Sequence, residues 1–481
     1  MERTLIGDLS KHIGETVSIG GWVDVARNQG KMAFFDFRDR SGKVQGVVFG
    51  KPEVLEVAQK LKQEWVVRIE GKVNERPEKM RRDVPNGNIE LEITGIKVLS
   101  EAHSLPFAMD AELNIDTHFD NLPLTLRIER TRDIFTVQAT IVNAFRNALR
   151  DEGFTEFQAP VLVGGDAEGG AAVFKIEDYY GKQAYLATSG QLYKQIMVGP
   201  FERSMTVAKT FRAEKSATTR HLAELTQLEF EMGFVDSHKD VMAMLEKVIR
   251  TISTTVAEKH IDALKRFKVE PALLPQGPFP TFTLREAQEI IEKEFGGKAV
   301  GELDLEPEHE RQICQYAKEK LSSDFIFITH FPTKKRAFYT YPDPEDPEFS
   351  RSFDLLFRGL EINSGSQRIH NYDELIEKMK LRGMDTAKFA FYLQAFKYGM
   401  PPHGGCSTGL ERLTMKMLNL ANVKEASAFP RDMNRIDQRI NSNPEIDYNE
   451  LGVTQTTKDF TLPSSSNSFE TENSSTEKEI K

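Results

Sequence analysis

Apolar and polar residues alternate along most of the first hundred positions, in TVSIGGWVDV, MAFFDFRD, KVQGVVFG, EWVVRIEGKV and NIELEITGIKVL. A period of two puts every second side chain on one face, as in a half-buried strand. PEVLEVAQKLKQ interrupts the series with helical spacing. Five short strands, one helix and turns rich in Gly and Asn predict a small Greek-key barrel of the OB type over residues 1–100. Barrels of this type often hold single-stranded nucleic acid by stacking bases on aromatic side chains.

The alternation is lost over 101–125, which predicts a linker. From 126 to 437 helical and strand spacings are mixed. RDIFTVQATIVNAFRNALRDEGF places Ile134, Val137, Ile141, Phe145 and Leu149 three or four apart, the stripe of an amphipathic helix. FQAPVLV follows as a predicted strand; its Pro160 cannot donate to a ladder and belongs near an edge or interface. Helical spacing over about 238–295 reads as an insertion. In 438–481 Ser, Thr, Asn and acidic residues dominate, with four basic against eight acidic side chains, so a disordered tail is expected.

At 481 residues the chain has room for about two or three domains and a sizeable core. Hydrophobic content is 39% and no apolar run approaches the ~20 residues of a membrane helix, which excludes a helical membrane protein as the expectation. The opening MERTLIGDLSKHIGETV lacks the basic and apolar regions of a signal peptide, which predicts a cytoplasmic protein. Cys314 and Cys406 are too few for a disulfide framework or a Cys-only zinc site and are expected as free thiols. The net charge of −10 means that any RNA must be held by local basic patches.

Three short stretches then follow in order: Phe211-Arg212-Ala213-Glu214, GLEINSGSQRIH from Gly359 to His370, and Gly409-Leu410-Glu411-Arg412. Singly each has an ordinary reading. Arg212 and Glu214, two apart on a strand, could form a surface ion pair, and GLER could be a plain helix start. As an ordered set they resemble motifs 2 and 3 of the class II aminoacyl-tRNA synthetases, flanking an amino-acid pocket similar to that of the aspartate-specific branch. SFDLLFRGLEI, GMPPHGG and AFPRDMNRI look most like its archaeal type. The helix, strand and Pro160 resemble the dimer-forming motif 1. The resemblance spans residues 1–437. It implies an α+β fold, with an antiparallel-sheet catalytic domain over 126–437 preceded by an anticodon-binding OB-fold β-barrel. It also implies a homodimeric aminoacyl-tRNA ligase that uses ATP and Mg2+.

Activating a carboxylate with ATP requires in-line attack on the α-phosphorus, so the protein supplies cations and positioning rather than a covalent nucleophile. The resemblance assigns Arg212 as the catalytic cation between α-phosphate and substrate carboxylate, a bidentate task that suits arginine. It assigns Glu214 to adenine and Arg220, His221 and Leu222 to the ATP loop. Glu361 and Ser364 would hold magnesium and ATP, with Asp354 assisting; a few protein oxygens suffice for that ion. Gly409 and Arg412 open a helix whose N-terminus favours phosphates. Leu225 stands where many relatives place an aromatic under adenine, which leaves Arg412 as the main ring partner.

For the amino acid, the resemblance implies contacts from Glu168 in the GGDAEGGAAVF loop, Gln191, Lys194, Arg212, Ser364 and Arg368. Lys194 and Arg368 point to aspartate, because asparagine's neutral amide would leave buried cations poorly compensated, at about 1–3 kcal/mol. Gly190 stands where most aspartate enzymes have proline, so SGQL is similar to the asparagine branch. His370 and His403 flank the pocket with structural and catalytic roles both open. In the barrel, Phe34 and Gln45 resemble the residues that stack on and read the central anticodon base, the competing reading of Phe34 being barrel core. Arg27, Lys31, Lys79, Arg81 and Arg82 are candidate phosphate contacts. The implied reaction is the joining of L-aspartate to tRNA(Asp), with or without tRNA(Asn), through an aspartyl-adenylate. Charging tRNA(Asn) would require a tRNA-dependent amidotransferase partner; the resemblance implies that residues near Asp24 and the loop around Pro85 influence that choice. The alternatives are an asparaginyl-tRNA synthetase, or a tRNA-independent asparagine synthetase paralogue, which usually lacks the barrel.

Overall fold

The computed structural model describes residues 2–165, 172–213 and 218–432, in two compact units divided between Glu112 and Leu113. Glu168, Glu214 and the 438–481 tail lie outside the described residues.

The first unit contains β1 (Thr16–Gln29), β2 (Met32–Arg38), β3 (Lys43–Phe49), β4 (Val66–Glu75) and β5 (Ile89–Ser100), closed into a barrel in the order β1-β2-β3-β5-β4. Only β3 and β5 run parallel. All five predicted strands are present. The intervening helix, Pro52–Ala58, is shorter than its apolar spacing suggested. Alternation sends Phe35, Phe37, Val44 and Val48 inward to a core shared with Ile69 and Leu91. It therefore sends Phe34, Asp36 and Gln45 outward, and Phe34 is half-buried outside that core.

In the second unit, short helices Ile115–Asp120 and Leu122–Thr125 lie within the stretch read as a linker. The predicted amphipathic helix runs Glu129–Asp151, with all five of its stripe residues buried. FQAPVLV is not one strand. β6 (Thr155–Glu156) precedes it and ends the large sheet; β7 (Leu162–Val163) pairs instead with β8 (Lys175–Tyr179) and β9 (Lys182–Leu186) in a three-stranded sheet. Pro160 falls in the break between β6 and β7, where no ladder donor is needed.

The large sheet continues with β10 (Arg203–Phe211), β11 (Glu224–Gly233), β12 (Thr281–Thr283), β13 (Phe325–Thr329), β14 (Ser352–Phe357), β15 (Leu360–Arg368) and β16 (His403–Gly409). Its order is β12-β13-β14-β15-β16-β11-β10-β6, antiparallel except at the outer pairs β12–β13 and β10–β6. The helices Glu129–Asp151 and His238–Lys259 contribute to one core with Phe353, Leu355 and Phe357 of β14. The intervening Ser352 and Asp354 point the other way, and Ser352 lines a cavity there. Helices His238–Lys259, Ile261–Arg266 and Leu284–Phe295 occupy the stretch read as an insertion. Among the described residues no helix is long and apolar enough to cross a membrane.

Candidate active site

A cavity of about 360 Å3 is lined from β11, β15, β16, the loop after β10 and the start of the helix Leu410–Met417. Arg368, which lines it, is 4% exposed and held by several partners. Its Nε donates to Glu231 Oε1 at 2.8 Å and its Nη1 to Ser366 Oγ at 2.6 Å. Its Nη2 donates to Gly405 O at 2.8 Å and reaches Gln191 Oε1 and Glu231 Oε2 at 3.3 Å. The opposite strand permits this only as glycine, because a Cβ on Gly405 would stand 2.1 Å from Glu231 Oε2.

Lys194 is 1% exposed; its Nζ lies 3.4 Å from Glu229, 3.5 Å from Glu231 and 3.0 Å from Cys406 O. The helix Gln191–Phe201 presents Gln191, Lys194 and Gln195 on one buried face by their three- and four-residue spacing. Two cations and two carboxylates therefore form one buried group of balanced charge. Burial pushes the Glu231 carboxyl up, but Arg368 and then Lys194 outweigh that and leave it below the ordinary value.

This changes the expected basis of selection. Both cations already have carboxylate partners, so a neutral substrate side chain would not leave them bare. Arg368 lines the cavity, whereas Lys194, Glu229 and Glu231 lie outside its lining, with Lys194 between the two glutamates.

Arg212, Arg220, His221, Leu222, Gly409 and Arg412 all line the cavity. Arg220 is ion-paired to Glu310, and His221 Nδ1 lies 2.6 Å from Thr218 Oγ1. Arg412 Nη1 donates to Glu361 O at 3.1 Å and lies 3.4 Å from its Oε2. Leu225 also lines the cavity and packs against the main core.

Glu361 and Ser364 are three apart on a strand, a spacing that normally opposes them. A register irregularity between Leu355 and Leu356 of β14 skips Ile362 and brings both to the same cavity. Asp354 pairs with Ser364 across the ladder. Its carboxyl is pushed up to about 6, chiefly by burial, against the pull of Arg336, with Glu361 raising it further. Asp354 Oδ1 is buried with no hydrogen-bond partner. A carboxylate oxygen left bare beside a second carboxylate fits a divalent cation of the magnesium type. Among the described residues no group of three or more His, Cys, Asp or Glu could hold a metal ion. Magnesium tolerates that, since waters and phosphates complete its shell.

His403 is wholly buried. With its Nδ1 proton donated to Pro401 O at 2.9 Å, its Nε2 accepts from Gln195 at 2.9 Å, and burial holds its pKa down to about 4. Both cysteines are free and buried.

Sequence reasoning missed Glu229, Glu231 and Arg336. The first two sit in TQLEFEMG, where Gln227, Glu229 and Glu231 alternate with Leu228, Phe230 and Met232, a period-two signal that was available. Arg336 ends the run Lys334-Lys335-Arg336, which looks like a solvated charge patch.

On the barrel, Phe34 and Gln45 share the outer face, with Asp36 opposite Gln45 and Arg27 opposite Phe34. Arg27 donates to Asp36 at 2.9 Å. Asp24 bridges Arg38 at 3.2 Å and Lys43 at 2.9 Å.

The family model for class II tRNA synthetases (D, K and N) matches residues 114–433, and one for an OB-fold nucleic acid binding domain matches 17–99. Similar proteins include an aspartate–tRNA(Asp/Asn) ligase of Thermus thermophilus, 42% identical over 90% of this chain and 99% of the relative. An aspartate–tRNA(Asp) ligase of Thermoplasma acidophilum is 35% identical over 91% of this chain and 100% of the relative. Among solved structures, asparaginyl-tRNA synthetase from Pyrococcus horikoshii with asparaginyl-adenylate aligns at a TM-score of 0.83 and 31% identity, over 91% of this chain and 99% of that one.

Proposed function

We propose the reaction of this chain from the premise that it belongs to the class II tRNA synthetases (D, K and N): it joins L-aspartate to tRNA(Asp), and also to tRNA(Asn), through an aspartyl-adenylate. The observation that carries the reading is one cavity lined by Arg212, Arg412 and Arg368, the last tied into the buried Arg368–Glu231–Lys194–Glu229 group. A dicarboxylic amino acid placed between them offers its side chain to Arg368 and its α-carboxylate to Arg212.

In the first step an α-carboxylate oxygen of aspartate attacks the α-phosphorus of ATP, and pyrophosphate leaves from the opposite side. Arg212 balances the charge that builds on the equatorial oxygens. Arg220, His221 and Arg412 orient the triphosphate, and the Leu222–Leu225 wall excludes water beside the base. Asp354, Glu361 and Ser364 would hold Mg2+, which neutralises phosphate charge when bound. In the second step a terminal ribose hydroxyl of the tRNA attacks the aspartyl carbonyl and AMP leaves. We place this activity in the cytoplasm. β6, at the end of the large sheet, and the helix Glu129–Asp151 form the homodimer contact in this reading.

Purified transcripts of tRNA(Asp) and tRNA(Asn), each offered aspartate and asparagine, test it in four combinations. Aspartate on both is expected, which requires a tRNA-dependent amidotransferase downstream. Aspartate on tRNA(Asp) alone limits the enzyme to one tRNA. The asparagine arm tests a second reading, favoured by the balanced charge of the pocket and by Ser189-Gly190-Gln191; asparagine on tRNA(Asn) would replace the first reading with it.

The barrel's part is tested separately. Stacking on an aromatic contributes about 1–3 kcal/mol per base. Phe34→Ala is therefore expected to raise the KM for tRNA about ten-fold or more, leaving aspartate-dependent pyrophosphate exchange unchanged. An unaltered tRNA KM would remove Phe34 from the RNA surface.

A further inference from the structure

Lys334 and Lys335 close the short 3-10 turn Thr333–Lys335 and Arg336 follows it in extended conformation, a run of three cations that would normally face water. Arg336 turns inward instead. Its Nη2 donates to Asp354 Oδ2 at 2.7 Å and its Nη1 to Ser364 Oγ at 3.0 Å, and its guanidinium carbon stands 3.8 Å from the centre of the Phe331 ring. Across the cradle, Arg412 lies 3.4 Å from the second carboxylate, Glu361. Two carboxylates are thus matched by two guanidinium groups with no metal counted.

That balance has a consequence for a dication. Magnesium sheds its waters reluctantly and depends on negative charge to hold it. Here the two acids are already compensated, and Ser364 Oγ, a further oxygen of the cradle, accepts from Arg336. An incoming triphosphate changes the ledger, since it brings negative charge for both guanidinium groups and shares the metal with the acids.

We propose that Arg336 is the resident counter-cation of this cradle, a positioning residue that makes divalent-metal binding conditional on bound nucleotide. The inference rests on the reading of Asp354, Glu361 and Ser364 as the magnesium-holding group.

The test is Mn2+ binding to the full chain without nucleotide, followed by loss of the free-ion paramagnetic resonance signal. Wild type is expected to bind weakly. Arg336→Gln, and Arg336→Met as a form that keeps the packing on Phe331, should each bind roughly ten-fold tighter or more, because Asp354 then lacks its compensating charge. Arg336→Lys, which keeps the charge, should return to the wild-type value, and adding Asp354→Asn to Arg336→Gln should cancel the gain. Mn2+ affinity unchanged in folded Gln and Met variants would overturn the proposal, as would a Lys variant that binds as tightly as they do. A second arm measures Mn2+ uptake in the presence of a non-hydrolysable ATP analogue. If Glu361→Gln leaves that uptake intact, the cradle is not the metal site and both readings fall. If Glu361→Gln impairs it while the Arg336 variants match wild type, only the inference about Arg336 falls.

Discussion

Arg368→Leu is expected to abolish aspartate-dependent pyrophosphate exchange and to lower stability by about 3–5 kcal/mol, the usual result of removing one partner of a buried ion pair. The two losses have one origin. Arg368 gives Glu231 two hydrogen bonds, at 2.8 and 3.3 Å, and covers a side chain that is 0% exposed. Leucine would leave that carboxylate with only Lys194, 3.5 Å away. Arg368→Lys separates fold from function: it keeps a positive charge but loses the fork that also reaches Ser366 and Gly405. It should unfold near wild type in urea and still lose on the order of a hundred-fold in kcat/KM for aspartate. Exchange retained in Arg368→Leu would take this residue out of the substrate pocket. The pair also sets an acid limit. Because Glu231 titrates below its ordinary value when folded, its contribution is complete above the ordinary carboxylate range and is lost as pH falls through the lowered value.

The barrel was legible because one face of each strand meets a core and the other meets solvent, so the alternation of MAFFDFRD survives into burial: Phe35 and Phe37 in, Phe34 and Asp36 out. The large sheet hides that signal. All six residues of SFDLLF in β14 are buried, Phe353 against the helices and Asp354 beside the cavity, so burial alone does not separate the two faces. Motif residues such as Arg212, Glu361 and Arg412 were found because their local strings are distinctive, and all line the cavity. Their supports were not. Glu229 and Glu231 read as ordinary strand carboxylates until β16 brings Ser407 and Gly405 opposite them. Arg336 acquires meaning only from Asp354 and Ser364, residues distant in the chain. The split of FQAPVLV between two sheets is likewise a tertiary outcome, since nothing in a seven-residue string says which partner strand each end will meet.

Lys194→Leu illustrates the gap between a residue's type and its place. Read from its position in TSGQLYKQIM, the lysine is a direct contact to the substrate carboxylate, and its loss should mainly erode discrimination against asparagine. Its Nζ instead sits between Glu229 and Glu231, both with side chains 0% exposed, so the variant strips compensation from two buried acids at once. A stability loss of about 3–5 kcal/mol is expected by urea unfolding. The electrostatic effect on substrate follows from the remaining charges: Arg368 faces two carboxylates, and the group next to the incoming side chain becomes net negative. Aspartate then meets repulsion that neutral asparagine does not, so kcat/KM for aspartate should fall further than that for asparagine, narrowing their ratio in pyrophosphate exchange. Adding Glu229→Gln restores the balance of one cation and one anion and should recover part of both stability and ratio. A ratio unchanged in folded Lys194→Leu would mean that this buried group holds the site together without setting which amino acid enters it.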